Sequence, residues 1–383
     1  MTMSTRFRFF LSLIALLSAS SSWADVQAPT WGGFLSAGYI APSDNNFYGF
    51  ESGDSGPIYE AGLHGRWALS PRLSVSGLLS ARDTGDWFEN GLVVDHLSLN
   101  ANLWSNQNWD LHAKLGRIKL KNGLYGTTRD VPFTKPSIIL PQSIYPHILR
   151  EQSLRSDGLS LDFYRNFGFE KELNINLTYG KEPYDPNMSK RFLGSQQEGT
   201  FESEVNLSAF VSYRPNSTWF MAFQAREYAM TLEQALPGYD YVFDVRQYLA
   251  SLQYSQQRFE ISSELSFRDG GTYGKPDLAV FTGSVDMWSG YVNAIYYLRP
   301  TVELWARYDH SQFIPDYIPD KYKRLQDIAI GTTWNFHSQW QLKAEYHWFK
   351  GVSMIPPIRD LYGPDGNPKM YWQMAAVQLS FRF

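Results

Sequence analysis

Apolar and polar residues alternate with a period of two in segment after segment, from about residue 31 to the last residue, Phe383. In 58–69, Tyr59, Ala61, Leu63, Gly65, Trp67 and Leu69 share one face, and Glu60, Gly62, His64 and Arg66 share the other. A strand sends successive side chains to opposite faces, so this segment reads as a strand with one apolar and one polar face. A helix would group Leu63 and Trp67 but set Glu60 and His64 beside them.

The pattern recurs at 73–82, 109–116, 205–213, 259–268 and 340–348, where Trp340, Leu342, Ala344, Tyr346 and Trp348 alternate with Gln341, Lys343, Glu345 and His347. Taken together, the alternating segments number 16. They lie near 31–40, 57–69, 73–82, 91–104, 109–117, 158–165, 173–181, 203–213, 219–230, 245–254, 259–268, 286–298, 301–309, 325–336, 340–349 and 370–383.

The connections alternate as well. Short ones fall at 70–72, 105–108, 166–172, 215–218, 255–258, 299–300 and 337–339. Long ones fall at 41–56, 83–90, 118–157, 182–202, 231–244, 269–285, 310–324 and 350–369. Strict interleaving of short turns and long loops is the pattern of an up-and-down barrel in an outer membrane. An even strand count then places both termini on the periplasmic side.

No run beyond the N-terminal segment is long enough for a membrane helix. Yet 16% of the residues are aromatic, including 13 Trp and 24 Tyr, a large share for a chain of negative mean hydropathy. A wall with one face in lipid and one in water accommodates both facts. Outward-facing Trp67, Trp109, Tyr213, Trp219, Tyr254, Phe259, Tyr296, Trp334 and Trp340 all lie beside short turns, and Tyr59, Tyr179, Tyr308 and Trp348 lie towards the long loops. These are the two interfacial rings expected of a membrane-spanning wall. The expected fold is all-β: a transmembrane antiparallel β-barrel of about 16 strands, in one domain over 25–383.

Residues 1–24 read as a cleaved signal peptide. Arg6 and Arg8 precede an apolar stretch, Phe9 to Leu17, and Ser22-Trp23-Ala24 has the small-x-small form of a cleavage site. Without this segment, 32 Lys and Arg face 38 Asp and Glu, a net charge of −6. With no basic stripe, that balance excludes nucleic acid as a partner. The chain has no cysteine, so an exported fold must close by other means than disulfides. Backbone pairing around a barrel is one.

The last strand ends Val377-Gln-Leu379-Ser-Phe381-Arg-Phe383. This resembles the C-terminal signature of bacterial outer-membrane proteins, which implies recognition of Phe383 by the barrel-assembly machinery. The mature chain as a whole resembles a 16-stranded bacterial porin of the Gram-negative outer membrane. The resemblance implies a barrel set among outer-membrane lipid and lipopolysaccharide, with homotrimers common. It also implies a third long loop folded into the lumen. Here that loop is 118–157, the longest connection, and its segment from Asn122 to Tyr145 looks like a stretch in porin-like proteins. It departs from the acidic motif of the third loop in enterobacterial porins, which puts the ion preference in doubt.

Composition argues for an inward loop independently. Phe133, Ile138, Ile139, Leu140 and Ile144 make it apolar, and Pro132, Pro136, Pro141 and Pro146 make it stiff. The alternative is packing on neighbouring loops or on another subunit. If it folds inward, Arg129, Asp130, Lys135, Arg150, Glu151 and Arg155 are the candidate constriction charges, a mostly basic set pointing to a weak anion preference. Candidate lumen-wall residues are Glu60, His64, Arg66, Arg82, Lys114, Arg226, Glu264, Arg268, Glu303, Arg307, Lys343 and Glu345. Each is also explained as a solvated or cross-paired wall group.

No nucleophile-elbow or zinc-protease motif is present, the seven histidines are scattered, and no cofactor or metal is expected. The expected function is passive diffusion of small hydrophilic solutes rather than enzymatic chemistry. Two alternatives stand beside it. One is a porin specific for sugars or anions, with inward Trp305, Phe349 and Trp372 lining a track. The other is a closed structural or adhesive barrel whose outer loops carry the function.

Overall fold

In the computed structural model, the described residues are 28–49, 55–85, 90–150, 154–168, 170–183, 200–236, 238–275, 283–316, 318–353 and 367–383. The expected signal peptide, 1–24, and Glu151 lie outside them. The chain forms 16 strands: β1 Thr30–Pro42, β2 Gly56–Ser70, β3 Leu73–Asp83, β4 Gly91–Ser105, β5 Trp109–Lys119, β6 Arg155–Asn166, β7 Glu172–Lys181 and β8 Val205–Arg214 make up the first half. The second half is β9 Trp219–Leu236, β10 Tyr239–Ser255, β11 Phe259–Lys275, β12 Met287–Arg299, β13 Val302–Phe313, β14 Arg324–His337, β15 Trp340–Gly351 and β16 Tyr371–Arg382. Short pieces Phe201–Ser203 and Gly283–Ser284 extend β8 and β12 across interruptions.

Each strand pairs antiparallel with its neighbours in sequence, and β1 pairs with β16 from Phe34↔Arg382 to Pro42↔Met374. The sheet therefore closes and leaves no edge, which satisfies its backbone groups without water. Among the described residues no helix is long and apolar enough to cross a membrane.

Side chains follow the alternation. Outward Tyr59, Trp67, Tyr179, Tyr308 and Trp348 are exposed, and inward Glu60, Arg82, Glu264, Arg307, Lys343 and Glu345 are buried. At the short-turn end, outward rings touch in series: Trp219 with Tyr254, Tyr254 with Phe259, Phe336 with Trp340, Trp340 with Phe381 and Phe383 with Trp31.

Two of the expected long loops are hairpin instead. Strand β9 continues to Leu236 and β10 begins at Tyr239, so most of 231–244 is paired strand. Strand β11 likewise runs to Lys275, taking up much of 269–285. On these extensions the outward face turns polar, with Thr231, Glu233, Asp240 and Asp244, so the apolar-outward alternation of the membrane-level strands fades there.

A membrane barrel turns its apolar face outward, so its apolar core lies within the barrel, under the loops. Ile40, Phe47, Tyr48, Ile58, Met287, Leu325, Phe349, Val352, Trp372 and Met374 pack around Ile138 and Ile139 of the third loop. A second cluster sets Leu140, Ile144 and Tyr145 of the loop against Leu249 and Tyr291 of the wall. Each buried aliphatic side chain adds roughly 1.5–3 kcal/mol to the seat.

Candidate functional site in the barrel lumen

The third loop runs from Leu120 to Leu154, and these two residues close it with a backbone hydrogen bond of 2.8 Å. Its contacts with the far wall are mainly between wall side chains and loop backbone. The Glu345 carboxylate of β15 accepts the amides of Ile138 and Ile139 at 2.7 and 2.9 Å. Lys343 Nζ donates to the carbonyls of Pro132 and Lys135, both at 2.6 Å. Arg307 of β13 donates to the Ile139 carbonyl at 3.0 Å and to Ser137 Oγ at 3.2 Å. Thr333 of β14 donates to the Pro136 carbonyl at 3.1 Å. Prolines explain the pattern: a chain with Pro at 132, 136 and 141 cannot form its own regular ladder, so its exposed carbonyls and amides need outside partners.

Glu264 of β11 makes a second anchor. Its carboxylate accepts from Ser251 Oγ at 2.6 Å, Tyr145 OH at 2.5 Å, Tyr291 OH at 2.9 Å and the Leu124 amide at 2.9 Å. Behind Glu345, His347 bridges its carboxylate (3.2 Å) to that of Asp327 (2.9 Å), and Asp327 pairs with Arg307 at 3.2 Å.

On the near wall the charges meet one another. Asp130 pairs with Arg150 at 3.0 Å, Lys119 at 3.2 Å and Arg82 at 3.3 Å. Arg150 also reaches Glu60 at 3.2 Å. Asp95 joins Arg82 at 2.5 Å and Arg155, the first residue of β6, at 3.3 Å. Arg129 donates to the Tyr145 carbonyl at 3.4 Å, its guanidinium 6.0 Å from the Tyr145 ring. Lys135 donates to the Ile138 carbonyl at 2.9 Å. Arg129, Lys135, Arg150, Glu60 and His147 line one crevice with Tyr48 and Gln142.

Arg82, Lys119, Arg129, Lys135, Arg150 and Arg155 set six cations against three carboxylates, Glu60, Asp95 and Asp130. Burial pushes the Asp130 carboxyl up, but Lys119, Arg150 and Arg82 outweigh it and hold the group well below the usual range. Burial and the nearby Arg150, Arg129 and Lys135 hold His147 well below the usual imidazole range.

The structure thus brings together Arg129, Asp130, Arg150 and Arg155 with the wall residues Glu60 and Arg82. It places Arg307, Lys343, Glu345 and Glu264 under the loop as anchors. Others stand apart. Lys114 pairs with Asp162 at 3.0 Å. Arg226 pairs with Glu182 and lies 4.5 Å from the Tyr228 ring. His64 and Arg66 are exposed near the turn end of β2, and Arg268 and Glu303 are half-buried elsewhere on the wall. Inward Trp305, Phe349 and Trp372 form no open track. Phe349 and Trp372 stack at 3.9 Å within the core under the loops, and Trp305 packs on Ile295 and Ala329.

No family model and no curated protein matches the sequence. Solved structures do match its fold. The anion-selective porin of Comamonas acidovorans aligns with TM-score 0.58 at 15% identity, over 93% of this chain and 99% of that one. The outer membrane channel DcaP of Acinetobacter baumannii aligns with TM-score 0.58 at 10% identity, over 96% and 100%. Salmonella typhi OmpF, solved with daunomycin, aligns with TM-score 0.57 at 13% identity, over 93% and 97%. At such identities the likeness is one of architecture: this chain has the fold of the outer-membrane porins.

Proposed function

We propose that the chain is an outer-membrane channel for passive diffusion of small hydrophilic solutes, narrowed by its third loop and tilted towards anions. The short-turn end faces the periplasm and the long loops face outwards. One observation carries the reading: residues 121–150 bond to inward groups of β2, β3, β11, β13, β14 and β15, strands on opposite sides of the barrel. A loop held on both walls crosses the lumen, and what passes must pass beside it. There the charge balance favours anions, since charged side chains at the narrow point set selectivity.

The test is single-channel recording of the purified full-length protein in a planar bilayer. Stepwise conductance is expected, with a reversal potential in a KCl gradient on the chloride side of zero. A barrel that inserts and gives no steps would be a closed structural or adhesive barrel; a potential on the potassium side would overturn the anion preference.

A further inference from the structure

A second inward site lies away from the charged cluster, towards the turn end of β6–β9. The register sets Tyr164 opposite Asn174, Asn174 opposite Ser212, and Ser212 opposite Ala222, one lateral row across four strands. The middle of that row is short side chains. Phe210 stands one step above Ser212 on the same face, and Phe220 one step beyond Ala222. The result is a floor of Asn174 and Ser212 walled by three rings. The third loop covers it with Gly123, Leu124 and Thr127, leaving a cavity of about 200 Å³.

The polar groups are placed around the rings. Lys121 Nζ donates to Asn174 Oδ1 at 2.5 Å and to Tyr164 OH at 3.3 Å, and pairs with Asp162 at 2.6 Å. It lies 5.1 Å from the Tyr164 ring centre and 5.8 Å from that of Phe210. Glu172, at the rim, is exposed and stands opposite Arg214 in the register. Lys121 thus spends its three donors on Asp162, Asn174 and Tyr164, and Asp162 also takes Lys114.

We infer that this cavity is a subsite for the ring of a neutral, hydroxyl-rich solute of monosaccharide size. Its volume is below the roughly 300–1,000 Å³ of sites for drug-sized ligands. Aromatic faces accept the C–H face of such a ring, and the hydroxyls, amide and carboxylate around them meet its rim of hydroxyls. A free anion would have to displace one of the three partners that Lys121 already holds, and a purely apolar solute offers no partner to the Ser212 hydroxyl or the Glu172 carboxylate. The inference rests on the channel reading above, since the cavity is reached only through the lumen.

The experiment is current-noise analysis of the full-length protein in a planar bilayer, with D-glucose and, separately, sodium benzoate as probes. Glucose is expected to produce reversible blocking noise with a saturable concentration dependence. Phe220→Ala should weaken its binding constant by up to about tenfold, the size of one lost aromatic contact. Ser212→Val, which fills the floor without changing charge, should abolish the noise while steps of conductance remain, and it serves if Phe220→Ala fails to insert. A conducting wild-type channel with no glucose noise overturns the subsite and leaves the channel reading intact. So does block by benzoate and not glucose, or a glucose constant unmoved by both variants. Absence of conductance overturns the channel reading itself.

Discussion

The carboxylate of Glu345, on β15, accepts the backbone amide of Ile138, 207 positions earlier in the chain, at 2.7 Å. The same carboxylate takes the next amide, Ile139, at 2.9 Å. Two amides on one buried carboxylate form a clamp, and hydrogen bonds to a charged group contribute about 1.5–3 kcal/mol each. Glu345→Ala should release residues 137–140 and leave two amides without their acceptor. The expected result is a larger and noisier single-channel conductance, with heat-modifiable migration of the barrel on gels unchanged. A quiet channel of wild-type conductance would show that the loop is held by its apolar seat alone.

Lys343 tests the same seat with opposite charge. Its ammonium is buried and donates to two loop carbonyls. Lys343→Met keeps much of the stem but removes both donors. Leaving two buried acceptors unmet costs about 1–3 kcal/mol each, so limited proteolysis should cut the loop faster in the variant than in the wild type. An unchanged cleavage rate would argue against the ammonium as an anchor.

Asp95 separates what the sequence displays from what it hides. A strict alternation along β4 puts His96 on the lumen side and Asp95 outside. In the barrel, Leu78 pairs with His96 but Leu79 pairs with Val94, so β4 carries an extra residue there. A bulge of this kind turns an unpaired residue from its expected face, and Asp95 is buried between Arg82 and Arg155. Asp95→Asn should leave those two guanidiniums with one carboxylate fewer and move the reversal potential further towards anions. Because it uncovers buried cations, it should also destabilise the fold by about 3–5 kcal/mol, read from the midpoint of urea unfolding in detergent.

Most of the barrel was legible because a lipid-facing wall forces alternation on every crossing strand, as in 340–348. The loop was legible as apolar and stiff through Ile138-Ile139-Leu140 and its prolines. Its partners were not. Glu345, Lys343 and Arg307 look like any inward charge until the fold places them beneath loop backbone, and no local pattern records a contact across the barrel. Lys119 escaped for a different reason. It fell at the start of the expected loop, 118–157, and was not among that loop's candidate charges, but it ends β5 and pairs with Asp130.

Asp130 carries a pH prediction. Lys119, Arg150 and Arg82 overcome burial and hold its carboxyl well below the ordinary value. A depressed carboxyl contributes stability that is fully present above the unfolded value, about 3.9, and is lost as pH falls through the lower folded value. Between about pH 7 and pH 5 the group stays ionised and its share of the loop's stability is constant. Reversal potentials over that range should therefore show no step that Asp130→Asn removes. At pH 7 the same substitution should shift selectivity towards anions, since it takes one of three carboxylates from the cluster. A titration step near pH 6 that disappears in Asp130→Asn would contradict the ion-paired arrangement.

Gly33 tests closure of the barrel. Its amide donates to the Phe383 carbonyl at 3.0 Å, and the Phe383 amide donates back to the Gly33 carbonyl at 3.1 Å. A Cβ on Gly33 would meet the Phe383 ring at 2.5 Å and the Gly62 carbonyl at 2.6 Å, closer than real contacts allow. The ring can swing, but the carbonyl belongs to the β1–β2 ladder and cannot move without bending the seam. Gly33→Val should thus destabilise the closed barrel by about 1–3 kcal/mol through overpacking, and lower its unfolding temperature in detergent. Phe383→Leu in the same background should relieve the ring clash and not the carbonyl clash, recovering only part of the loss. Full recovery would place the whole cost at the C-terminal ring rather than at the ladder.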